Sequence, residues 1–404
     1  MWRSTRRASP FPCKTCAPWN SPWPGSPPTR NGPGDFALPN THPEKHQDMP
    51  VPLRIKTLLT LSILYLSATG VGWMFARMGI PLPWMIGPLV LSAALSISGL
   101  LKVTVPVKTR PFGQMTIAAQ VGLAFTPAAL AALLSLAPVM IGTALASAAC
   151  AGMIAILVAR TTGLRLSQAF LSTFPTSPVE AAIMAERHGC DPAPVILAQT
   201  TRIAAVVILV PIAVFALDGW PDRSDMMAGG GLDPVGNGFL ALLAITGALL
   251  FKRLRLSNPY FLGPLTFSAA ASAIGLHPTA FPVEILSLAQ IVLGTWLGST
   301  FRHDLFANQK RQLFAIMTST LMLLAVISGI AVAIAALAGQ PWEVLVLGAA
   351  PGGVTEMALT AKFLGIDLAL VTAFQLTRIF LFMPNIPWII RMIDAYEQRK
   401  AARR

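Results

Sequence analysis

A chain of 404 residues that is 54% hydrophobic and 12% charged, with a mean hydropathy of +0.63, lacks the polar surface that a water-soluble fold of this size requires. Its formal charge of +13 would suit nucleic acid if it were gathered on one face. The Lys and Arg residues instead sit in short groups between apolar runs, which disfavours a nucleic-acid partner and points to a lipid bilayer.

Residues 1–52 read as a disordered, Pro-rich basic tail, and Met49 opens the more ordinary start MPVPLRIKTLLTL. Cys13 and Cys16 form a lone CxxC, with His42 and His46 four apart; without a second pair this is coincidence rather than a metal site. No secretory signal is visible, because the apolar stretch that follows is too long and lacks a small-residue cleavage site. Beyond the tail, the runs Leu58 to Ala76, Met140 to Ala159, Val195 to Leu217, Leu313 to Leu337 and Leu368 to Ile390 are each long enough to cross ~30 Å of hydrocarbon as a helix. Period-2 alternation is absent, so the fold class is all-α, a polytopic membrane protein. Cys150 and Cys190 read as apolar packing residues.

The chain repeats itself. PTSPVEAAIMAERHGCD from Pro175 and PGGVTEMALTAKFLGID from Pro351 align at an offset of 176 residues, which pairs Glu180 with Glu356 and Asp191 with Asp367. At the same offset stand Pro83 and Pro259, Gly87 and Gly263, Pro106 and Pro282, Gly122 and Gly298, Gln199 and Gln375, and Arg202 and Arg378. The organisation that follows is repeat 1 over 53–217, an acidic connector over 218–235, repeat 2 over 236–392, and a basic tail over 393–404.

Five crossings are expected in the first copy, at about 57–76, 82–101, 112–134, 136–159 and 192–217. The Pro-Glu-Gly segment is expected to dip in and return as a broken hairpin. That arrangement gathers nearly all inter-helix Lys and Arg on one side of the bilayer, whereas a full crossing spreads them over both. An odd number of crossings per copy makes two inverted repeats, the plan of many secondary transporters. It also places both termini on the cytoplasmic side.

The hairpins carry the chemistry. Gly189 and Asp191, like Gly365 and Asp367, read as a helix stop followed by an N-cap. Counted from that turn, Glu180 and Arg202 reach one level about 13–17 Å deep, with Gln199 on the face of Arg202; Glu356, Gln375 and Arg378 repeat the set. Ionisable groups at such depth are costly and usually functional, although a buried Glu-Arg pair that only fixes helix packing is the plainer alternative. Before each Glu the helix is interrupted, by Pro175-Thr-Ser-Pro and by Pro351-Gly-Gly. The hydroxyls of Thr176 and Ser177 and the amides of Gly352 and Gly353 are therefore candidate anion ligands at a positive helix end.

These motifs resemble a family. P-G-G-x-x-E-M, then G-x-D and Q-x-x-R, with an early P-x-x-x-G-P at Pro83 to Pro88, are similar to the AbrB-type bacterial membrane proteins over about residues 55–392. The group is often labelled as transcriptional regulators or ammonia monooxygenases, and the resemblance implies a bacterial inner-membrane location and a transport role. In the first copy Pro175-Thr-Ser-Pro stands where the family has its glycine pair.

Neither label fits the residues directly. His188, His277 and His303 are scattered and no HExxH or Ser-His-Asp set occurs, so no metal, no cofactor and no enzyme are expected. The tail is too poor in apolar residues to fold as a DNA-binding module. The expected function is secondary transport of a small anionic or zwitterionic solute. Arg202, Arg378, Gln199 and Gln375 would hold it, and Glu180 or Glu356 would couple a proton or cation. A membrane sensor that affects gene expression indirectly is the alternative. Small-residue runs such as Ala144 to Gly152 also permit a homo-oligomer.

Overall fold

The computed structural model describes residues 51–402, apart from Lys102, Thr104, Ser177, 219–230, Leu232, Ser257, His277, Arg302 and 304–309. The CxxC, His42, His46, Ser177, His277 and most of the acidic connector lie outside the described residues. Among the described residues there is no strand. The first copy contains α1 (Val51–Arg77), α2 (Pro83–Ile97), α3 (Arg110–Gly122), α4 (Pro127–Thr162), α5 (Leu166–Thr173), α6 (Pro178–Arg187) and α7 (Pro192–Asp218). The second contains α8 (Pro234–Arg253), α9 (Pro259–Ala273), α10 (Val283–Ser299), α11 (Lys310–Ala338), α12 (Trp342–Ala349), α13 (Val354–Phe363) and α14 (Leu368–Phe382), followed by α15 (Ile386–Ala402). Among the described residues, α1, α4, α7, α8 and α11, and a sixth stretch that runs from α14 into α15, are long and apolar enough to cross a membrane. Leu58, Leu66, Leu242, Leu249 and Phe314 project outward from them as lipid-facing residues do.

The duplication is as clear in the backbone as in the letters. The bounds of α9, α12 and α13 are those of α2, α5 and α6 displaced by 176 residues. Every residue with positive φ among the described residues has its counterpart at that offset: Gly79 and Arg255, Leu82 and Asn258, Gly99 and Gly275, Gly163 and Gly339, Gly189 and Gly365. Repeated left-handed turns of this kind require the chain to change direction at equivalent points.

Two cores hold the helices. One is built by α2, α3, α9 and α10 around Met85, Leu89, Ile117, Phe261, Leu265 and Leu297. Here the copies exchange partners. Gly122 on α3 lies so close to Leu265 O and Ser268 Oγ on α9 that a Cβ would overlap them, and Gly298 on α10 does the same to Leu89 O and Ser92 Oγ on α2. The second core joins α4, α5, α7, α11, α12 and α14 around Ile154, Leu171, Val206, Leu323, Leu345 and Phe374, and takes in Cys150 and Cys190.

One set of boundaries departs from the sequence reading. Instead of crossings at 112–134 and 136–159, α3 ends at Gly122 and α4 runs unbroken through Pro138 for 36 residues. The turn falls earlier because Thr126 caps the new helix by accepting from Ala129 N at 3.2 Å, with Pro127 in its first turn. A proline inside a helix removes one backbone bond and does not by itself end it.

The C-terminal helix fastens the first hairpin. His188 Nδ1, at the turn after α6, lies 2.6 Å from Asp394 Oδ2, and Glu397 Oε1 accepts from Leu166 N at the start of α5 at 2.7 Å.

Candidate functional site

Each hairpin is a helix interrupted in its middle. Helix α5 stops at Thr173 and α6 begins at Pro178; α12 stops at Ala349 and α13 begins at Val354. A helix that stops leaves its last carbonyls without partners, and in a bilayer no water stands ready to serve them. The following long helix supplies the missing donors. Gln375 Nε2 donates to Leu347 O at 2.7 Å and Ala350 O at 3.1 Å, while Arg378 Nη1 donates to Ala350 O at 2.7 Å and Ala349 O at 3.3 Å. Arg378 Nη2 donates to Gln375 Oε1 at 2.7 Å and to Gly352 O at 3.2 Å. The first copy repeats the bonds to its last helical carbonyls: Gln199 Nε2 serves Leu171 O and Phe174 O at 2.6 and 2.9 Å, and Arg202 Nη1 serves Thr173 O and Phe174 O at 3.2 and 3.3 Å. Thr176 adds its hydroxyl as a further acceptor for Gln199, at 3.3 Å.

The two breaks touch. Arg202 Nε crosses to the other hairpin and donates to Pro351 O at 3.0 Å, and the two guanidiniums come near enough for their like charges to interact. Arg202 and Arg378 are 3% and 5% exposed, and both glutamines are wholly buried. The residues assigned from sequence to the solute are thus brought together as expected in register, but their donors are spent on the protein's own carbonyls. A solute reaching Arg202 would have to displace those bonds. One donor is left over, since Arg378 Nε is buried without an acceptor among the described residues.

The carboxylates occupy a different position. Glu180 and Glu356 stand in the first turns of α6 and α13, both half-buried. The sequence reading gives the amides of Gly352 and Gly353 to an incoming anion. In the structure Glu356 folds back at that helix end, where its own backbone N–H donates to its carboxylate, and Oε2 lies against Gly353 with no room for a Cβ. The helix end therefore already has a carboxyl group at its amides, where an incoming anion would otherwise sit. Asp191 and Asp367 cap the next helices, accepting from Ala193 N at 3.0 Å and Leu370 N at 2.9 Å.

The cation whose field reaches Glu356 is Arg110, at the start of α3. Its guanidinium lies over the Trp296 ring of α10 at 4.3 Å from the centroid, and Gln114, with its amide oxygen turned inward, accepts from Nη2 at 3.2 Å and Nε at 3.3 Å. Sequence reasoning missed this group because Arg110 belongs to a basic loop cluster with Lys102 and Lys108 and so reads as a topology signal. The available signal was the Arg110 and Gln114 pair, one helical turn apart on one face, at a point where the second copy has Leu286 and not a cation.

Comparison with known proteins now places the chain. The profile of the family described as transition state regulatory protein AbrB matches it twice, over residues 33–218 and 179–394. The chain belongs to the AbrB family. "Uncharacterized protein YhjN" of Bacillus subtilis (strain 168) is 25% identical over 362 residues, covering 83% of this chain and 93% of that protein. "Putative regulator AbrB" of Escherichia coli (strain K12) is 27% identical over 161 residues, 40% of this chain and 46% of that one. The AbrB-type member described above is accordingly an all-helical membrane protein built from two copies of one unit.

Proposed function

We propose that this AbrB-family protein is a secondary transporter for a small anionic or zwitterionic solute, held at the level where the two broken hairpins meet and coupled to a proton or cation through Glu356 or Glu180. The observation that carries the reading is the meeting of two interrupted helices, cross-bonded from Arg202 to Pro351 O, beside a half-buried carboxylate and a stacked guanidinium. Interrupted backbone at membrane depth occurs where it is buried in protein or lines a water-filled path, and it lets a site change partners at small cost. Five crossings per copy, an odd number, would reverse the second copy relative to the first; three long apolar stretches in each copy and the exchanged contacts of Gly122 and Gly298, which suit an approximate two-fold axis, support that reading. Inverted repeats support alternating access by rocking one arrangement into its mirror. The expected setting is the bacterial inner membrane with both termini cytoplasmic, no cofactor, and no chemistry performed on the solute.

Counterflow tests this. Purified protein in liposomes preloaded with an unlabelled metabolite mixture should accumulate the corresponding labelled solute transiently, and Glu356→Gln should change the dependence of the rate on the proton gradient. Absence of counterflow for every anion and zwitterion in the mixture would sink the transporter reading. The printed name of the Escherichia coli relative favours a second reading, a membrane sensor using the same site without net movement of solute. It predicts ligand binding without counterflow.

A further inference from the structure

Arg110 has five N–H donors, and Gln114 takes those on the Nε side. The two on Nη1 and the outer one on Nη2 meet no hydrogen-bond acceptor among the described residues. The Trp296 ring beneath the guanidinium and Gln114 on its Nε side restrict how far the open edge can swing. Such an edge, with two parallel N–H groups, matches the two oxygens of a carboxylate. Arg110, Trp296 and Glu356 are all half-buried, so the group is recessed and still reachable.

Charge bookkeeping then limits what can enter. Arg110 and Glu356 together carry no net charge when both are ionised. The remaining ionic residues on elements that pack against α13 are Arg378 on α14 and Arg202 on α7, both locked into the breaks, Asp218 at the far end of α7, Glu343 at the far end of α12, and Lys362 on α13 itself beyond the second turn. With Arg202 and Arg378 spent on the carbonyls of the breaks, an anion added alone beside Arg110 would set two negative groups against the one cation they share. An anion that arrives with one proton leaves the total unchanged.

We infer that Arg110, held by Gln114 and Trp296, is the receptor for a small monocarboxylate, and that it receives the carboxylate when a proton from solution has neutralised Glu356. The bound state is a carboxylate paired with Arg110 beside a neutral Glu356 carboxylic acid; release of both restores the Arg110 and Glu356 pair. The inference rests on the transport reading and gives that site its solute class. Because the equivalent of Arg110 in the second copy is Leu286, each chain holds one such site.

Thermal stabilisation of the purified full-length chain by formate, acetate and lactate, followed over a series of pH values, tests it. The wild type should be stabilised, with an apparent Kd rising about tenfold per pH unit once Glu356 is ionised. Glu356→Gln should keep the stabilisation and lose that slope. Arg110→Gln should lose the response, and Arg110→Lys, which keeps the charge without the flat edge, should fold and bind at least about tenfold more weakly. A wild type indifferent to all three acids, an Arg110→Lys variant that binds as well as wild type, or an undiminished slope in Glu356→Gln each overturns it. Counterflow of some other solute that survives Arg110→Gln would leave transport standing and remove this assignment. Carboxylate stabilisation without any counterflow would do the opposite.

Discussion

Replacing Gln375 with Met removes polar atoms while keeping nearly the same volume, so the change isolates what the amide does at the break. In the structure Nε2 serves two carbonyls, Leu347 O at 2.7 Å and Ala350 O at 3.1 Å, and Oε1 receives Arg378 Nη2 at 2.7 Å. Ala350 O keeps a donor in Arg378 Nη1, and Arg378 Nη2 keeps Gly352 O, so Leu347 O is the group left most exposed to the loss. An unsatisfied buried carbonyl costs about 1–3 kcal/mol, and two weakened bonds add roughly 1 kcal/mol between them, since polar bonds in membrane interiors average ~0.6 kcal/mol each. The expected destabilisation is about 2–4 kcal/mol, a shift of roughly thirty- to a thousandfold in the unfolding constant. Reversible unfolding in mixed micelles of mild detergent and SDS measures it. Gln199→Met should behave alike, because its amide holds the same two carbonyl positions. If either variant unfolds within ~0.5 kcal/mol of the parent yet fails to bind solute, the amides belong to a ligand and the capping argument is wrong.

Gly353→Ala should drive the Glu356 carboxylate off its helix end, and proton-coupled uptake should fall at least tenfold while stability changes by no more than about 1 kcal/mol; uptake that continues at the parental rate contradicts the placement. Gly298→Ala and Gly122→Ala should each cost about 1–3 kcal/mol or more, because the added methyl meets backbone carbonyls that cannot swing aside, and the same micelle titration reads the loss. Asp233 accepts from Thr279 Oγ1 at 2.7 Å, and that hydroxyl, followed by backbone N–H groups of α8, holds its carboxyl below the usual carboxylate range. A depressed carboxyl contributes stability that is present above its unfolded value near 4 and is lost as pH falls through its folded one. Thr279→Val should therefore flatten the acid limb of a stability-versus-pH curve, and an unchanged limb refutes the contribution.

How much of this was legible depends on what kind of residue carried the information. The breaks and turns were readable because Pro175, Pro351, Gly189 and Gly365 act through backbone geometry that does not depend on neighbours. The co-location of Gln199 with Arg202 followed from helical spacing alone. Their occupation was not readable, since the carbonyls of Leu171, Thr173 and Phe174 carry no side-chain signature and any residue offers the same oxygen. The length of α4 was hidden because Pro138 marks helix ends in water and is tolerated inside buried helices. Arg110 was hidden by its company, for a cation beside two others in a loop is the ordinary topology signal.

The exchanged glycine contacts have a consequence for how such a molecule could exist in pieces. With α10 seated on α2 and α3 seated on α9, the interior around Met85 and Phe261 is closed only when both copies contribute. A gene fragment encoding either copy alone would leave that seam open to lipid, and its product could complete itself only by docking with another of its kind. The single chain is, in physical terms, a two-chain particle whose halves have been tied together by the connector.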